Sequence, residues 1–400
     1  MIKRQLSRKI KEIAKKMPVV ALVGPRQSGK TTLAKHAFPN YKYASLEDLD
    51  IRQYAKTDPR GFLTDYCDGA ILDEIQHVPE LFSYIQTHVD QNDKPGQFIL
   101  TGSQNFLLLE SISQTLAGRI SLLTLLPFST TELANNHYQL SHLEDILFQG
   151  LYPRIYKHKI KPTDWYPDYI RTYLERDIRQ IKNVHDLSVF HKFLKLCAAR
   201  TGQLLNLSSL AADCGITHVT ARAWISLLET SYIVFLLQPY HNNFGKQLTK
   251  SPKLYFYDTG IVCSLLDIEN SKQLSTHYIK GYLFETFIIS EFVKTFYNSG
   301  KTPELYFWRD KSGHEIDCLI KQATYLTPIE IKSSRTIAND FFETLYYWDQ
   351  LTQMQEQAFL IYGGDTDQKR NIATVLSWHH LSKVFTHSTP PRAPDESADH

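Results

Sequence analysis

Residues Gly24-Pro25-Arg26-Gln27-Ser28-Gly29-Lys30-Thr31 form a complete G-x-x-x-x-G-K-[ST] pattern, with Thr32 following. Backbone N–H groups of such a glycine-rich turn, together with the positive end of the helix it opens, attract anionic phosphates. Lys30 has the reach for β- and γ-phosphates, and the Thr31 hydroxyl suits Mg²⁺. Farther on, Ala70-Ile71-Leu72 ends in Asp73 and Glu74. An acid at the carboxyl end of a strand can hold Mg²⁺ directly or through water, and its neighbour can polarise an attacking water. The competing reading is a capping pair at the start of a helix. Gln97 to Thr101 runs into Gly102-Ser103-Gln104-Asn105, which makes Ser103 a candidate γ-phosphate sensor. Arg119, after Gly118, is a candidate arginine finger in cis or in trans. An ordinary surface arginine is the alternative.

A second group lies near the carboxyl end: Ile316-Asp317-Cys318 and Ile329-Glu330-Ile331-Lys332. Strand alternation puts Glu330 and Lys332 on one face, where Asp317 from a neighbouring strand could meet them. Two carboxylates would clamp a Mg²⁺, and the lysine would orient or deprotonate water for attack on a phosphodiester. Glu285, on a preceding helix, could complete the ligands. The arrangement resembles the D…E-x-K core of restriction-endonuclease-like nucleases. Charge on a strand edge is the bland alternative.

These residues need a scaffold, and the hydrophobic pattern supplies one. Strands are expected at Pro18 to Val23, Tyr41 to Ser45, Ala70 to Asp73, Gln97 to Thr101 and Ile120 to Leu125. Helical patterns between them imply an α/β domain with a parallel sheet covered by helices. A helix is expected over Phe106 to Ala117. Thr130 to Lys182 reads as helical, broken at Gly150 to Pro153, and Tyr169 to Ile181, with Tyr173 to Asp177, would serve as a lid. Residues 204 to 237 resemble a winged helix-turn-helix. Gly215 sits in its turn, Thr217 caps its second helix, and Ala211, Ile216, Val219, Trp224 and Leu228 are expected to pack together. His218, Thr220 and Arg222 would then face outward, where DNA-reading members contact the major groove. A bare packing module is the alternative. A helix over Ile279 to Tyr297 and strands at Leu305 to Arg309, Glu315 to Ile320 and Leu326 to Lys332 follow. Thr386 to His400 is expected to be disordered.

Composition sets the outer bounds. The 400 residues are 42% hydrophobic and 12% aromatic, enough for two or three cored domains. No apolar run approaches the roughly 18 residues of a membrane span. The run Pro18 to Val23 is too short for a signal peptide and leads straight into the glycine-rich loop. Five cysteines without a C-x-x-C pair, Cys67, Cys197, Cys214, Cys263 and Cys318, suit a reducing cytoplasm. Net charge is only +2, but residues 1 to 16 hold seven Lys/Arg against one acid, and residues 151 to 200 eleven against five. The first cluster reads as the solvated side of an amphipathic helix and the second as a basic stripe or plain surface.

Taken in order, Gly-Pro-Arg-Gln-Ser-Gly-Lys-Thr-Thr, Leu-Asp-Glu-Ile-Gln, Leu-Thr-Gly-Ser, Leu-Ala-Gly-Arg, Leu-Glu-Arg-Asp-Ile, Ser-Pro-Lys-Leu-Tyr-Phe-Tyr-Asp-Thr-Gly and Ile-Glu-Ile-Lys-Ser-Ser resemble one prokaryotic family. It comprises AAA-type P-loop ATPases fused to a C-terminal domain of unknown function. The resemblance spans about residues 1 to 385. It implies an ATPase core at 1–130, a helical lid or linker at 131–183, a winged-helix-like domain at 184–240, a nuclease-like domain at 241–385 and a tail at 386–400. It also implies ATP and Mg²⁺ as cofactors, with Lys30, Thr31, Asp73 and Glu74 as the ATP site, Ser103 as sensor and Arg119 as finger. The leading expectation is ATP hydrolysis that alters the grip on a macromolecule, nucleic acid first and DNA ahead of RNA. An ATP-gated nuclease, a nucleotide-responsive DNA-binding regulator and a protein-only partnership compete with it. A homo-oligomer would be needed if Arg119 acts in trans.

Overall fold

The computed structural model describes residues 2–92, 94–103, 115–174, 186–240, 249–323, 325–353 and 357–387. Most of the helix expected at Phe106 to Ala117, the Gln104-Asn105 pair, the end of the expected lid from residue 175, and 388–400 of the tail lie outside these residues. The chain divides into two compact units, Met1–Leu236 with Lys253–Pro303, and Leu237–Pro252 with Glu304–His400. Among the described residues no helix is long and apolar enough to cross a membrane.

The first unit begins with α1 (Leu6–Ala14), β1 (Val19–Val23), α2 (Lys30–Ala37), β2 (Lys42–Ser45), β3 (Ala70–Asp73), α3 (Leu81–Asn92), β4 (Phe98–Gly102) and β5 (Ile120–Thr124). The strands form one parallel sheet in the order β2-β3-β4-β1-β5. β1 is Val-Val-Ala-Leu-Val and every residue is buried, as befits a central strand covered on both faces. Its neighbours align Val23 with Gly102 and with Thr124. The carboxyl ends of β1, β3 and β4 therefore share one edge, at the point where the strand order reverses and a crevice forms. Leu6 and Ile10 of α1 pack into the core with Val20, Leu22, Leu33 and Ile99.

Short helices follow: α4 (Thr130–Ala134), α5 (Leu143–Gln149), α6 (Pro153–His158) and α7 (Pro162–Tyr169), which runs into a π-helical turn at Ile170–Leu174. Pro153 and Pro162 each open a helix, where the missing N–H costs nothing. Gly150, with φ +61, has no room for a side chain, because a Cβ would stand 2.0 Å from the Tyr166 hydroxyl and 2.4 Å from Asp258 Oδ1.

Helices α8 (Leu187–Ala199), α9 (Leu207–Cys214) and α10 (His218–Thr230) make a three-helix unit. Gly215 turns the chain at φ +69, and Thr217 Oγ1 accepts from the Thr220 N–H at 3.1 Å. Phe190 and Phe193 meet Trp224 edge to face. Ala211, Trp224 and Leu228 are buried as expected, and His218 and Arg222 face outward. Val219 is not in the core: it is 76% exposed beside His218, and Ile216 is only half-buried. The first turn of this helix projects past the packing surface, so position in the helical period did not decide burial there. β6 (Gln203–Leu204) pairs antiparallel with β8 (Lys253–Phe256), and β7 (Val234–Pro239) lies between them in sequence.

Lys253–Pro303, expected within the nuclease-like part, belongs to the first unit. Asp258 caps α11 (Thr259–Leu265) and also accepts from the Leu151 N–H at 2.6 Å and the Tyr166 hydroxyl at 2.7 Å. In α12 (Lys280–Asn298), Glu291 accepts from the N–H and hydroxyl of Thr130. These buried polar contacts join segments 92 to 161 residues apart.

The second unit carries β9 (Leu305–Arg309), β10 (Glu315–Gln322), β11 (Tyr325–Lys332), α13 (Glu343–Thr352), β12 (Ala358–Tyr362), β13 (Gln368–Lys369), β14 (Ala373–Ser377) and α14 (Ser382–His387). β9, β10 and β11 are antiparallel neighbours, and β11, β12 and β14 run parallel. Trp308, Leu319, Trp348 and Leu360 share its core. Thr386 and His387, assigned above to a disordered tail, close α14.

Candidate functional site

The loop after β1 is shaped by backbone that few side chains tolerate. Gly24 has φ +145, and a Cβ there would meet the Leu125 carbonyl oxygen at 2.2 Å. Gln27 and Gly29 have φ +64 and +96, so successive N–H groups turn inward before α2 begins at Lys30. Lys30 is buried and folds across the loop, donating from Nζ to the Gly24 carbonyl at 3.0 Å and the Pro25 carbonyl at 2.8 Å. Ser28 Oγ is buried without a hydrogen-bond partner.

Three hydroxyls converge on Asp73 at the end of β3. Thr31 Oγ1 lies 3.0 Å from both carboxylate oxygens, the Tyr43 hydroxyl donates at 2.8 Å, and Thr101 Oγ1 makes a close contact. Glu74 is left-handed at φ +55 and receives the Ser103 hydroxyl at 3.0 Å and the Gln76 amide. Burial pushes its pKa up, but Lys30, Gln76, Arg26 and Ser103 outweigh that and hold it below the usual value. Glu74 therefore carries its charge in a mostly enclosed position. The structure thus brings Lys30, Thr31, Asp73, Glu74 and Ser103 to one crevice. Its loop N–H groups, orphaned Ser28 hydroxyl and Thr31–Asp73 pair fit a nucleotide phosphate with a Mg²⁺ ion.

Arg119 is placed elsewhere. Its carbonyl accepts from the Val19 N–H, which puts it at the amino end of β5, opposite the edge that bears Gly24. Its guanidinium is paired with Asp90 on the surface. A finger acting on the chain's own nucleotide is ruled out by that placement, because parallel strands carry their two ends to opposite edges of the sheet.

Several residues around the crevice were not singled out in the sequence. Arg154, Lys157 and His158, on α6, line a cavity of about 370 Å³ with Arg26, Lys30 and Thr31. The surplus of basic residues after 150 was their only signal. The Tyr169 hydroxyl reaches the Arg26 carbonyl at 3.4 Å. A cavity of about 580 Å³ with apolar walls from Ile2, Leu33, Phe128 and Tyr138 shares Gly29, Thr32, Pro153 and Lys157 with the first. Arg4, placed above on a solvated side, is buried at 5% exposure and lies over the Phe128 ring. It pairs with Glu132 at 3.0 Å and donates to the carbonyls of Ser28 at 2.8 Å and Leu126 at 2.7 Å. No local pattern marks it among its basic neighbours.

In the second unit, the register Cys318↔Ile329 sets Asp317 against Glu330 across β10 and β11. Asp317 Oδ2 accepts from the Ile331 N–H at 2.8 Å and lies 4.0 Å from Lys332 Nζ, which also contacts Glu330. Glu330 is 3% exposed, and its Oε2 has no partner. Burial first, then the neighbouring Asp317 charge, push its pKa up to about 8 despite Lys332. A buried oxygen without a donor beside a second carboxylate fits a divalent cation. Glu285 belongs to the first unit, where Lys253 Nζ at 2.8 Å and the Tyr255 hydroxyl at 2.5 Å hold its carboxylate.

The parallel sheet, the glycine-rich loop and the acid pair lie within residues 16–134, which match the family model of an AAA domain. Residues 140–272 and 280–381 match two domains of unknown function, DUF8612 and DUF4143. The chain is similar to uncharacterized proteins of Mycobacterium tuberculosis and Mycobacterium bovis, each 27% identical over 339 residues, or 84% of this chain and 74% of the relative. Among solved structures it is similar to a Walker-type ATPase of Pyrococcus abyssi at 15% identity and a TM-score of 0.45, covering 66% of this chain and 96% of that one. AMPPCP-bound DnaA from Aquifex aeolicus is similar at 15% identity and a TM-score of 0.31, covering 56% and 85%.

Proposed function

We propose that the first unit binds and hydrolyses ATP and that turnover changes its hold on nucleic acid, DNA ahead of RNA. The carrying observation is the meeting of Thr31, Asp73, Glu74 and Ser103 at the mouth of the glycine-rich loop. Loop N–H groups and Lys30 would bind the phosphates, with Lys30 leaving the Gly24 and Pro25 carbonyls to do so. Thr31 and Asp73 would hold Mg²⁺, which supplies charge neutralisation for the transferring phosphoryl group. Glu74, kept ionised, would orient the attacking water and accept its proton. Ser103, bonded to Glu74, is positioned to report the state of that carboxylate. The adjoining apolar cavity would seat the base, and Arg154 and Lys157 would bring the α6 segment onto the phosphates. The exposed His218 and Arg222 of α10, in a helix-turn-helix arrangement, are the candidate contacts to DNA.

A second reading is favoured by one observation, the partnerless Glu330 oxygen beside Asp317 and Lys332. It makes the second unit a metal-dependent nuclease with Asp317 and Glu330 as ligands and Lys332 aimed at water or phosphate.

The deciding experiment is Mg²⁺-dependent ATP turnover by the full chain, alone and with duplex DNA, single-stranded DNA and RNA. Lys30→Ala is expected to cut turnover by roughly 100-fold or more. Hydrolysis that survives Lys30→Ala overturns the site, and turnover indifferent to every nucleic acid overturns the partner. Cleavage with Mn²⁺ that Asp317→Ala abolishes would establish the second reading.

A further inference from the structure

A cavity of about 340 Å³ in the first unit has no part in the nucleotide site. It opens where the end of α10, the end of α12 and β5 come together, and two unfavourable features coincide in it. The first is Glu229, in the last turn of α10. The carbonyl groups of a helix's last turn carry partial negative charge, so a carboxylate there is repelled. The second is burial without a partner. Glu229 is half-buried, burial raises its pKa, and among the described residues it has no ion pair or side-chain hydrogen bond. Tyr232, at φ +56, ends the helix: the Ile233 N–H bonds back to the Leu228 carbonyl at 3.0 Å across it, so the helix stop itself fixes the residue at the cavity wall.

The walls complete the chemistry. Tyr232, Tyr257 and Tyr297 line the cavity with Phe235, and the Tyr257 ring lies 4.7 Å from that of Phe235 and 6.1 Å from that of Tyr232. Aromatic faces attract cations, and a carboxylate among them supplies the counter-charge. An anion would meet Glu229. A neutral apolar ligand would leave its charge buried and unpaired. A cation relieves both costs at once.

We propose that this cavity binds a small molecule through an ammonium head group, with Glu229 as counter-ion and Tyr232, Tyr257 and Tyr297 as the aromatic wall. Lys301 stands exposed on the rim. It favours a ligand whose other end is anionic over a simple cation. The proposal does not depend on the ATPase reading.

The test is calorimetric titration and thermal unfolding of the full chain with choline and with glycine betaine, against sodium chloride at matched ionic strength. Saturable binding of at least one probe with a rise in Tm is expected. Glu229→Gln should weaken it at least ten-fold and, in the same experiment, raise the Tm of the free protein at pH 7, since it removes an unpaired buried charge. Tyr297→Leu, which keeps the carboxylate, should weaken binding without that gain. Betaine ahead of choline, reversed by Lys301→Ala, identifies a zwitterion, and choline ahead of betaine a simple cation. The proposal fails if neither probe binds saturably up to tens of millimolar, if Glu229→Gln binds like the native chain, or if that variant is no more stable when free.

Discussion

At the phosphate loop Asp73 accepts from three hydroxyls and Glu74 from an amide and a hydroxyl, whereas in the second unit Glu330 keeps one buried oxygen without a partner. The outcome for charge is opposite. Glu74 stays below its usual pKa, and Glu330 is pushed up to about 8. A carboxylate whose charge is met by enough donors is ready to act before a ligand arrives, while one that keeps a buried oxygen unpartnered beside a second carboxylate favours a cation or a proton. The first site is preorganised, and the second is loaded against its own ionisation.

The sharpest way to break this contrast is Glu74→Gln. It should lower ATP turnover by about 100-fold while ATP binding, measured by calorimetry, changes little, because the amide cannot accept a proton from water. Arg4→Met comes next. Removing one member of a buried ion pair costs about 3–5 kcal/mol. Thermal unfolding should show that loss, and kcat/KM for ATP should fall beyond what the unfolded fraction explains, since the Ser28 carbonyl loses its tether.

Glu330 offers a smaller effect with a definite pH sign. In the folded chain it keeps its proton up to about 8, while an unfolded chain releases it near 4.5. Its contribution to stability is full below 4.5 and lost as pH rises through 8. Glu330→Gln should therefore gain Tm over the native chain as pH goes from 5 to 8, measured with EDTA present. An unchanged difference would place Glu330 in an ordinary solvated setting. The smallest expected effect is at Arg222: Arg222→Ala should weaken DNA binding several-fold and flatten its salt dependence by about one charge. Equal salt slopes would remove α10 from the interface.

The loop and its acids were readable in sequence because each is local: a motif directly after an apolar strand, or a polar residue directly at a strand's end. Strand direction was readable too, and it bears on Arg119. A residue just before a parallel strand stands at the edge away from a loop that follows its neighbour. Arg4 could not be found this way, because its partners Glu132 and Leu126 lie far along the chain and nothing local separates it from solvated arginines. Arg154 and Lys157 depend on how α6 folds back over the crevice, which periodicity does not encode. Asp317 and Glu330 meet because the short connection from Gln322 to Tyr325 sets an antiparallel register that puts them opposite each other, which alternation alone does not encode, and the burial that raises Glu330 comes from the surrounding core.

The Arg4–Glu132 pair spans 128 residues and joins the first segment of the chain to a helix that follows the whole sheet. A chain emerging from the ribosome makes its amino-terminal parts first. Here the phosphate loop is synthesised early, yet its brace arrives only with α4, after β4 and β5 have flanked β1 on both sides. The nascent chain would thus carry an unfinished loop until the entire sheet has been made, and competence for nucleotide would appear late and at once rather than by degrees.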